Sequence, residues 1–221
     1  MLDRKKRYLQ IAFNSDLSSV EDILPNIEEN ERILIEAGTP FIKKEGMAGI
    51  ERISQLWDGI IVADIKTSDG AIEEVNMVKD AGADAATVLG SAPVETLNLF
   101  IAECKKLEIY SMIDMIGMDE PLKIIRQLKF PPDVVILHKG RDEESTKGKI
   151  IEYKNVNKIR SKYNVLISAA GGVDLKEARS AIFNGANIVV ANIVSEGKSW
   201  TGINESEDVA EMAKQFLDTI E

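Results

Sequence analysis

Ile60-Ile61-Val62-Ala63-Asp64-Ile65-Lys66-Thr67-Ser68-Asp69 is an apolar, β-branched run that ends in Asp-x-Lys-x-x-Asp, and its reading decides the fold. A near-continuous β-branched run is the pattern of a strand buried on both faces of a parallel sheet. Charged groups just beyond the carboxyl end of such a strand fall where α/β folds keep their ligands. Taken alone, the motif reads more simply as a solvated loop with a chance ion pair, so the other strand ends have to decide.

The same unit recurs along the chain: a short β-rich run, a polar or glycine-bearing turn, then an amphipathic helical pattern. The runs fall at residues 8–13, 32–36, 60–64, 85–89, 109–114, 134–138, 165–169 and 188–192, with helical patterns between them at 72–81, 94–107, 120–128, 175–184 and 208–220, among others. Strands alternating with helices imply βαβ units and a parallel sheet. Eight such units predict an α/β protein built as a single (β/α)8 TIM barrel spanning residues 1–221. Ala81-Gly82-Ala83-Asp84 and Asn184-Gly185-Ala186-Asn187 repeat one turn between helix and strand, with glycine where a helix end wants a left-handed residue. The longest connections, 139–148 and 195–205, both follow strands and belong to the face that carries chemistry in a barrel.

Composition sets the outer limits. At 221 residues, 44% of them hydrophobic, the chain is long enough to bury a sizeable core, and no apolar run approaches the ~20 residues of a membrane span. The basic start, Met1 to Arg7, precedes a strand-like run and not a signal segment, so the mature chain is expected to begin at Met1 and stay in the cytoplasm. A net charge of -10 with interspersed Lys and Arg argues against a nucleic-acid partner. The single cysteine, Cys104, excludes an internal disulfide framework and a cysteine zinc cluster, and reads as a small core residue.

Aligned strand ends collect Asn14 or Asp16, Glu36, Asp64 with Lys66 and Asp69, Asp114, and His138 with Arg141 and Asp142. In a barrel these converge. Carboxylates and a cation from different strands suit divalent-metal binding, oxyanion stabilisation and proton movement in one pocket. His138, the sole histidine, has the side chain whose ordinary titration lies nearest neutrality.

Six ordered motifs carry a family resemblance over nearly the whole chain: Leu9-Gln10-Ile11-Ala12-Phe13, Ile35-Glu36-Ala37-Gly38-Thr39-Pro40, Ala63-Asp64-Ile65-Lys66 through Asp69, Val88-Leu89-Gly90-Ser91-Ala92, His138-Lys139-Gly140-Arg141-Asp142 and Ala170-Gly171-Gly172-Val173. They resemble the orotidine-monophosphate-decarboxylase superfamily, and within it the 3-hexulose-6-phosphate synthases of archaeal type. Where metal-independent orotidylate decarboxylases usually carry a lysine, this chain has Glu36, which points to the magnesium branch. That branch also holds the 3-keto-L-gulonate-6-phosphate decarboxylases, and both activities use a metal-stabilised enediolate.

The resemblance implies Mg²⁺ held by Glu36 and Asp64, directly or through water, and Lys66 beside the developing enediolate, kept charged by Asp64 and Asp69. It implies that Asp69 enters a neighbouring subunit's site, hence a homodimer. His138 would move the proton, Asp114 would contact substrate, and Arg141 matches a residue associated with the decarboxylases. Arg141 also reads as a simple partner of Asp142 on a solvated loop. Gly171 and Gly172 would offer backbone N–H groups to a phosphate. Two positions depart from the pattern: Ala191-Asn192 replaces Gly-Gly or Gly-Arg, and Asn14 replaces an acid that Asp16 supplies only in a shifted register, unless Asn14-Ser15-Asp16 is a turn and helix cap. The activity implied is a Mg²⁺-dependent aldolase joining formaldehyde and ribulose 5-phosphate, with a sugar-phosphate decarboxylase or a non-catalytic metabolite-binding barrel as alternatives.

Overall fold

Along β1 (Tyr8–Phe13) the side chains alternate between two apolar clusters, Tyr8 and Ala12 in one, Leu9, Ile11 and Phe13 in the other. Successive strand residues point to opposite faces, so the clusters are the two faces of one sheet. The alternation continues through β2 (Ile33–Ala37), β3 (Ile61–Thr67), β4 (Ala85–Leu89), β5 (Tyr110–Asp114), β6 (Val134–His138), β7 (Leu166–Ala170) and β8 (Ile188–Val194). All eight pair in parallel in chain order, and β8 pairs back onto β1, Tyr8 opposite Ile188 and Ala12 opposite Asn192. The computed structural model, which describes residues 2–144, 150–195 and 200–221, is therefore a closed (β/α)8 TIM barrel.

The inner face is filled by Tyr8, Leu34, Val62, Met112, Val134, Leu166 and Ile188, so the barrel floor is a packed core and not a pore. The outer face packs against α1 (Leu17–Ile23), α2 (Thr39–Leu56), α3 (Ala71–Asp80), α4 (Val94–Lys106), α5 (Pro121–Ile125), α7 (Val156–Arg160), α8 (Leu175–Phe183) and α9 (Val209–Thr219), whereas the short polar α6 (Arg141–Glu144) follows β6 and brings Arg141 and Asp142 to the mouth of the barrel. Each fully buried Leu, Ile or Phe at this interface contributes about 1.5–3 kcal/mol of transfer free energy. Cys104 is among those buried residues, and burial raises its thiol far above the ordinary range.

The expected elements differ from the observed ones by a residue or two at most ends. The helix anticipated at 120–128 is shorter. Past Ile125 the N–H groups of Gln127 and Leu128 bond three residues back, a tightening that closes the helix ahead of Pro131-Pro132. Gly82 and Gly185 do take left-handed backbones, φ +95° and +96°, as their turns require. Two features were not anticipated: β8 runs on to Val194, and there it pairs with a two-residue β9 (Ile203–Asn204) too short to give a periodic signal. The 139–148 and 195–205 connections lie partly outside the described residues. No helix among the described residues is long and apolar enough to cross a membrane.

Candidate active site

Strand parity selects the site. Two residues beyond the inward-facing Leu34, Val62, Met112, Ile136 and Val190 stand Glu36, Asp64, Asp114, His138 and Asn192, at the carboxyl ends of β2, β3, β5, β6 and β8. With Gln10, Asn14, Lys66, Thr87, Arg141 and Gly171 they line one cleft of about 260 Å³ in the mouth of the barrel.

Lys66 is the hub of the charged half. Its Nζ lies 3.1 and 3.0 Å from the two oxygens of Asp64 and 2.5 Å from Asp114 Oδ2. Burial pulls its ammonium down, but the two carboxylates more than offset this and hold it above its ordinary value. Lys66 also has a left-handed backbone, φ +50°, rare for a residue with a Cβ and costing about 1–3 kcal/mol where the surroundings enforce it. Here β3 leaves register with β4: Ala63 faces Ala86, whereas Thr67 faces Val88.

Asp114 then links Lys66 to His138. Its oxygens are both 2.9 Å from His138 Nδ1, and Oδ1 accepts the backbone N–H of Ile116 at 3.0 Å. Burial pushes the Asp114 carboxyl up, but His138 and Lys66 bring it down to about 2. An ionised Asp114 accepts from Nδ1–H, so the neutral form of the ring has its lone pair on Nε2, which has no hydrogen-bond partner among the described residues.

Glu36 is the exception to this pairing. It is 7% exposed, and among the described residues its side chain has one hydrogen-bond partner, Gln10 Nε2 donating to Oε2 at 2.5 Å. Burial pushes the Glu36 carboxyl up and the negative charge of Asp64 adds to this, to about 7, against the opposing pull of Gln10, Lys66 and His138. Beside it Gln10 Oε1 is buried with no donor.

These oxygens fit a hard divalent cation. A cation would lower the cost of ionising Glu36 beside Asp64 and would meet an unspent carbonyl dipole at Gln10. Among the described residues no group of three or more His, Cys, Asp or Glu side chains stands together as a metal cage. The two carboxylates are not equivalent. Asp64 already receives Lys66 and Thr87 on Oδ1 and Lys66 on Oδ2, and the single proton of Thr39 Oγ1 is shared between Oδ2 at 2.8 Å and the Asp64 carbonyl oxygen at 2.7 Å, so Asp64 is the more heavily engaged of the two. Among the described residues Glu36 Oε1 receives no donor.

The remaining sequence candidates divide. Asn14, Arg141, Gly171 and Asn192 reach the cleft. Asn14 Nδ2 donates to Asn192 Oδ1 at 3.0 Å, joining the ends of β1 and β8 through neutral amides. Gly171, φ +97°, passes so close to Lys139 that an added Cβ would sit 1.8 Å from its carbonyl oxygen. Arg141 stacks on Trp200, 4.0 Å from guanidinium carbon to ring centroid, a cation–π contact that no reading of the loop had supplied.

Four candidates lie elsewhere in this chain. Asp69 is exposed and outside this chain's cleft, and within the chain the second carboxylate at Lys66 is that of Asp114. Asp16 caps α1, accepting from Ser19 N at 3.2 Å and pairing with Lys44 at 3.0 Å, which resolves Asn14-Ser15-Asp16 as a turn and cap. Gly172 does not line the cleft. Ala191 has the wrong parity: it is fully buried in the outer cluster, so its Cβ does not crowd the cleft.

Sequence reasoning also missed Gln10, Thr39 and Thr87. Gln10 and Thr87 are polar residues inside otherwise apolar runs, at inward-facing parity, and that was the available signal.

With this geometry in hand, the likeness to known proteins becomes informative. Residues 7–192 match the family model described as Orotidine 5'-phosphate decarboxylase / HUMPS family. The "Bifunctional enzyme Fae/Hps" of Methanosarcina barkeri is 38% identical over 215 residues, 96% of this chain and 52% of the relative. The chain thus spans about half the length of the curated relatives it matches. Among solved structures, a 3-hexulose-6-phosphate synthase superposes with a TM-score of 0.79 at 28% identity, over 97% of this chain and 100% of that one. A 3-keto-L-gulonate-6-phosphate decarboxylase from Vibrio cholerae, at 21% identity, shares the fold with a TM-score of 0.71, over 97% of each chain. On the match across residues 7–192, the chain belongs to the orotidine 5'-phosphate decarboxylase/HUMPS family.

Proposed function

We propose that this barrel is a Mg²⁺-dependent aldolase of the 3-hexulose-6-phosphate synthase kind, joining formaldehyde to ribulose 5-phosphate. The observation that carries the reading is the relay Lys66–Asp114–His138 across the cleft, a fixed cation beside an oriented imidazole. His138 Nε2 takes the proton from C1 of the ketopentose phosphate, and the electron pair moves onto the C2 carbonyl oxygen as an enediolate. Lys66 offsets the negative charge that develops there. As the C2 carbonyl re-forms from the enediolate oxygen, the C1–C2 double-bond electrons make a bond from C1 to the formaldehyde carbon, the formaldehyde π pair moves onto its oxygen, and the imidazolium returns its proton there, giving a 3-hexulose 6-phosphate. Asp114 holds the ring in the tautomer that permits both transfers. Glu36 and Asp64, directly or through water, would hold the Mg²⁺, which would add to the stabilisation of oxygen-borne negative charge.

Arg141 in the cleft favours a second reading, release of CO₂ from a 3-keto sugar-acid phosphate through the same enediolate. The neutral Asn14–Asn192 pair favours a third, a barrel that binds a metabolite without turning it over. One assay separates them. Consumption of ribulose 5-phosphate that requires both formaldehyde and Mg²⁺ supports the aldolase, CO₂ release supports the decarboxylase, and binding with neither reaction supports the third.

The exposed Asp69 is read as serving the site of a second copy, so the active unit is a homodimer. Verified mixed dimers of Asp69→Ala and Lys66→Ala chains are expected to regain part of the activity that each parent lacks. No recovery would rule out shared sites.

A further inference from the structure

We infer that Thr87 is a positioning residue of this site, whose hydroxyl fixes the Lys66 backbone and the Asp64 carboxylate to each other. The inference deepens the reading above, since it concerns how Lys66 is aimed.

Between Ala63 and Thr67 the β3 chain advances four residues while its β4 partner advances two, Ala86 to Val88, so the regular ladder cannot satisfy the intervening backbone groups. The N–H of Lys66, in its left-handed conformation, donates instead to Thr87 Oγ1 at 3.0 Å. A backbone N–H only donates, so the hydroxyl is the acceptor in that bond. Its single proton goes to Asp64 Oδ1 at 2.8 Å. Thr87 is 1% exposed, so water does not compete for either bond.

The consequence is directional. Lys66 Nζ must stand between Asp64 and Asp114, and Asp64 lies only two residues before Lys66 in sequence. An ordinary strand would also put residues 64 and 66 on one face, but their backbone would then be spent on the ladder with β4. The bulge frees that backbone, and Thr87 is the group that catches it. Thr39 supports the other side of the carboxylate, 2.8 Å from Oδ2, so two hydroxyls from different elements grip Asp64.

The test compares two substitutions. Thr87→Val keeps the branched shape and removes the hydroxyl; Thr87→Ser keeps the hydroxyl and removes a methyl. Two readouts are needed, amide hydrogen exchange at Lys66 and steady-state turnover. Thr87→Val is expected to melt cooperatively, to lose most of the protection at the Lys66 amide, and to reduce kcat by ~10–100-fold with KM changed far less. Thr87→Ser is expected to restore both. Wild-type protection and kcat in Thr87→Val would overturn the inference, as would a Thr87→Ser protein as impaired as Thr87→Val, or a lowered melting temperature with kcat unchanged. If Thr87→Val does not fold, Thr87→Cys, with its weak donor and acceptor, takes its place against Thr87→Ser. Should the unmodified protein catalyse no reaction, the functional reading fails, and exchange at the Lys66 amide alone then decides whether Thr87 holds it.

Discussion

The two halves of the cleft are built on different principles. On the side of β3, β5 and β6, Asp64, Lys66, Asp114 and His138 are joined by contacts of 2.5–3.1 Å, which hold Lys66 and Asp114 in their charged forms. On the side of β1 and β8, Asn14 and Asn192 meet through one neutral amide hydrogen bond, and no charged cleft residue stands on either strand. A buried ion network tolerates little loss, because removing one partner strands the others uncompensated. A neutral pair leaves donors and acceptors free to exchange for a ligand at small cost. The charged half is therefore suited to chemistry and the neutral half to recognition, and the contrast can be tested by perturbing each.

The largest effect is expected at His138. His138→Asn preserves polarity beside Asp114 but removes the titratable nitrogen, so exchange of the substrate C1 proton with deuterated solvent should slow by ~10²–10⁴-fold while Mg²⁺ still binds. Exchange at the unmodified rate would move the base elsewhere, to Asp64, Lys66 or a bound water.

Glu36 gives an intermediate effect, read as stability. Its folded value of about 7 lies above the ordinary 4.5, so the native state holds its proton over a range where the unfolded chain has released it. Stability should therefore fall as pH rises from about 4.5 to about 7, by about 3 kcal/mol in all, and stay level above. Asp114 acts in the opposite sense and in another window, its contribution being lost as pH falls from the ordinary 3.8 through about 2. Chemical denaturation of wild type and Glu36→Gln at pH 5 and 8 measures the difference. Mg²⁺ should restore stability to the wild type at pH 8 and do little for Glu36→Gln. Identical pH slopes in the two proteins would mean that Glu36 is not strained by its surroundings.

The smallest effect belongs to the neutral half. Asn192→Arg brings a cation to the end of β8, and one added charge-assisted hydrogen bond should lower KM for a sugar phosphate by ~10-fold, leaving kcat within a few-fold. A collapse of kcat would show that the β1–β8 side takes part in the chemistry and that the division into halves is wrong.

Much of this molecule was legible from local pattern. The β-branched runs marked eight strands, the Gly82 and Gly185 turns separated helix from strand, and the aligned strand ends collected Glu36, Asp64, Asp114 and His138, which parity then places on one face of the sheet. These follow from rules that act over a few residues: a side-chain period of two in strands, and a left-handed residue at helix ends. Ala191 shows the same rule misapplied, since it sits beside Asn192 in sequence yet faces the helices.

Which polar groups meet was decided only by the closed sheet. Asp69, three residues from Lys66, is expected at the site of a second copy; within this chain the second carboxylate at Lys66 is that of Asp114, forty-eight residues away. Thr87 and Gln10 reached the site in the same manner, through inter-strand neighbours that no spacing encodes. Periodicity reports the face on which a residue lies, but partner choice depends on strand register, on the irregularity between Ala63 and Thr67, and on the barrel closing β8 onto β1. Those are long-range properties, set by how the whole core packs, and they turned a row of charged strand ends into a connected network.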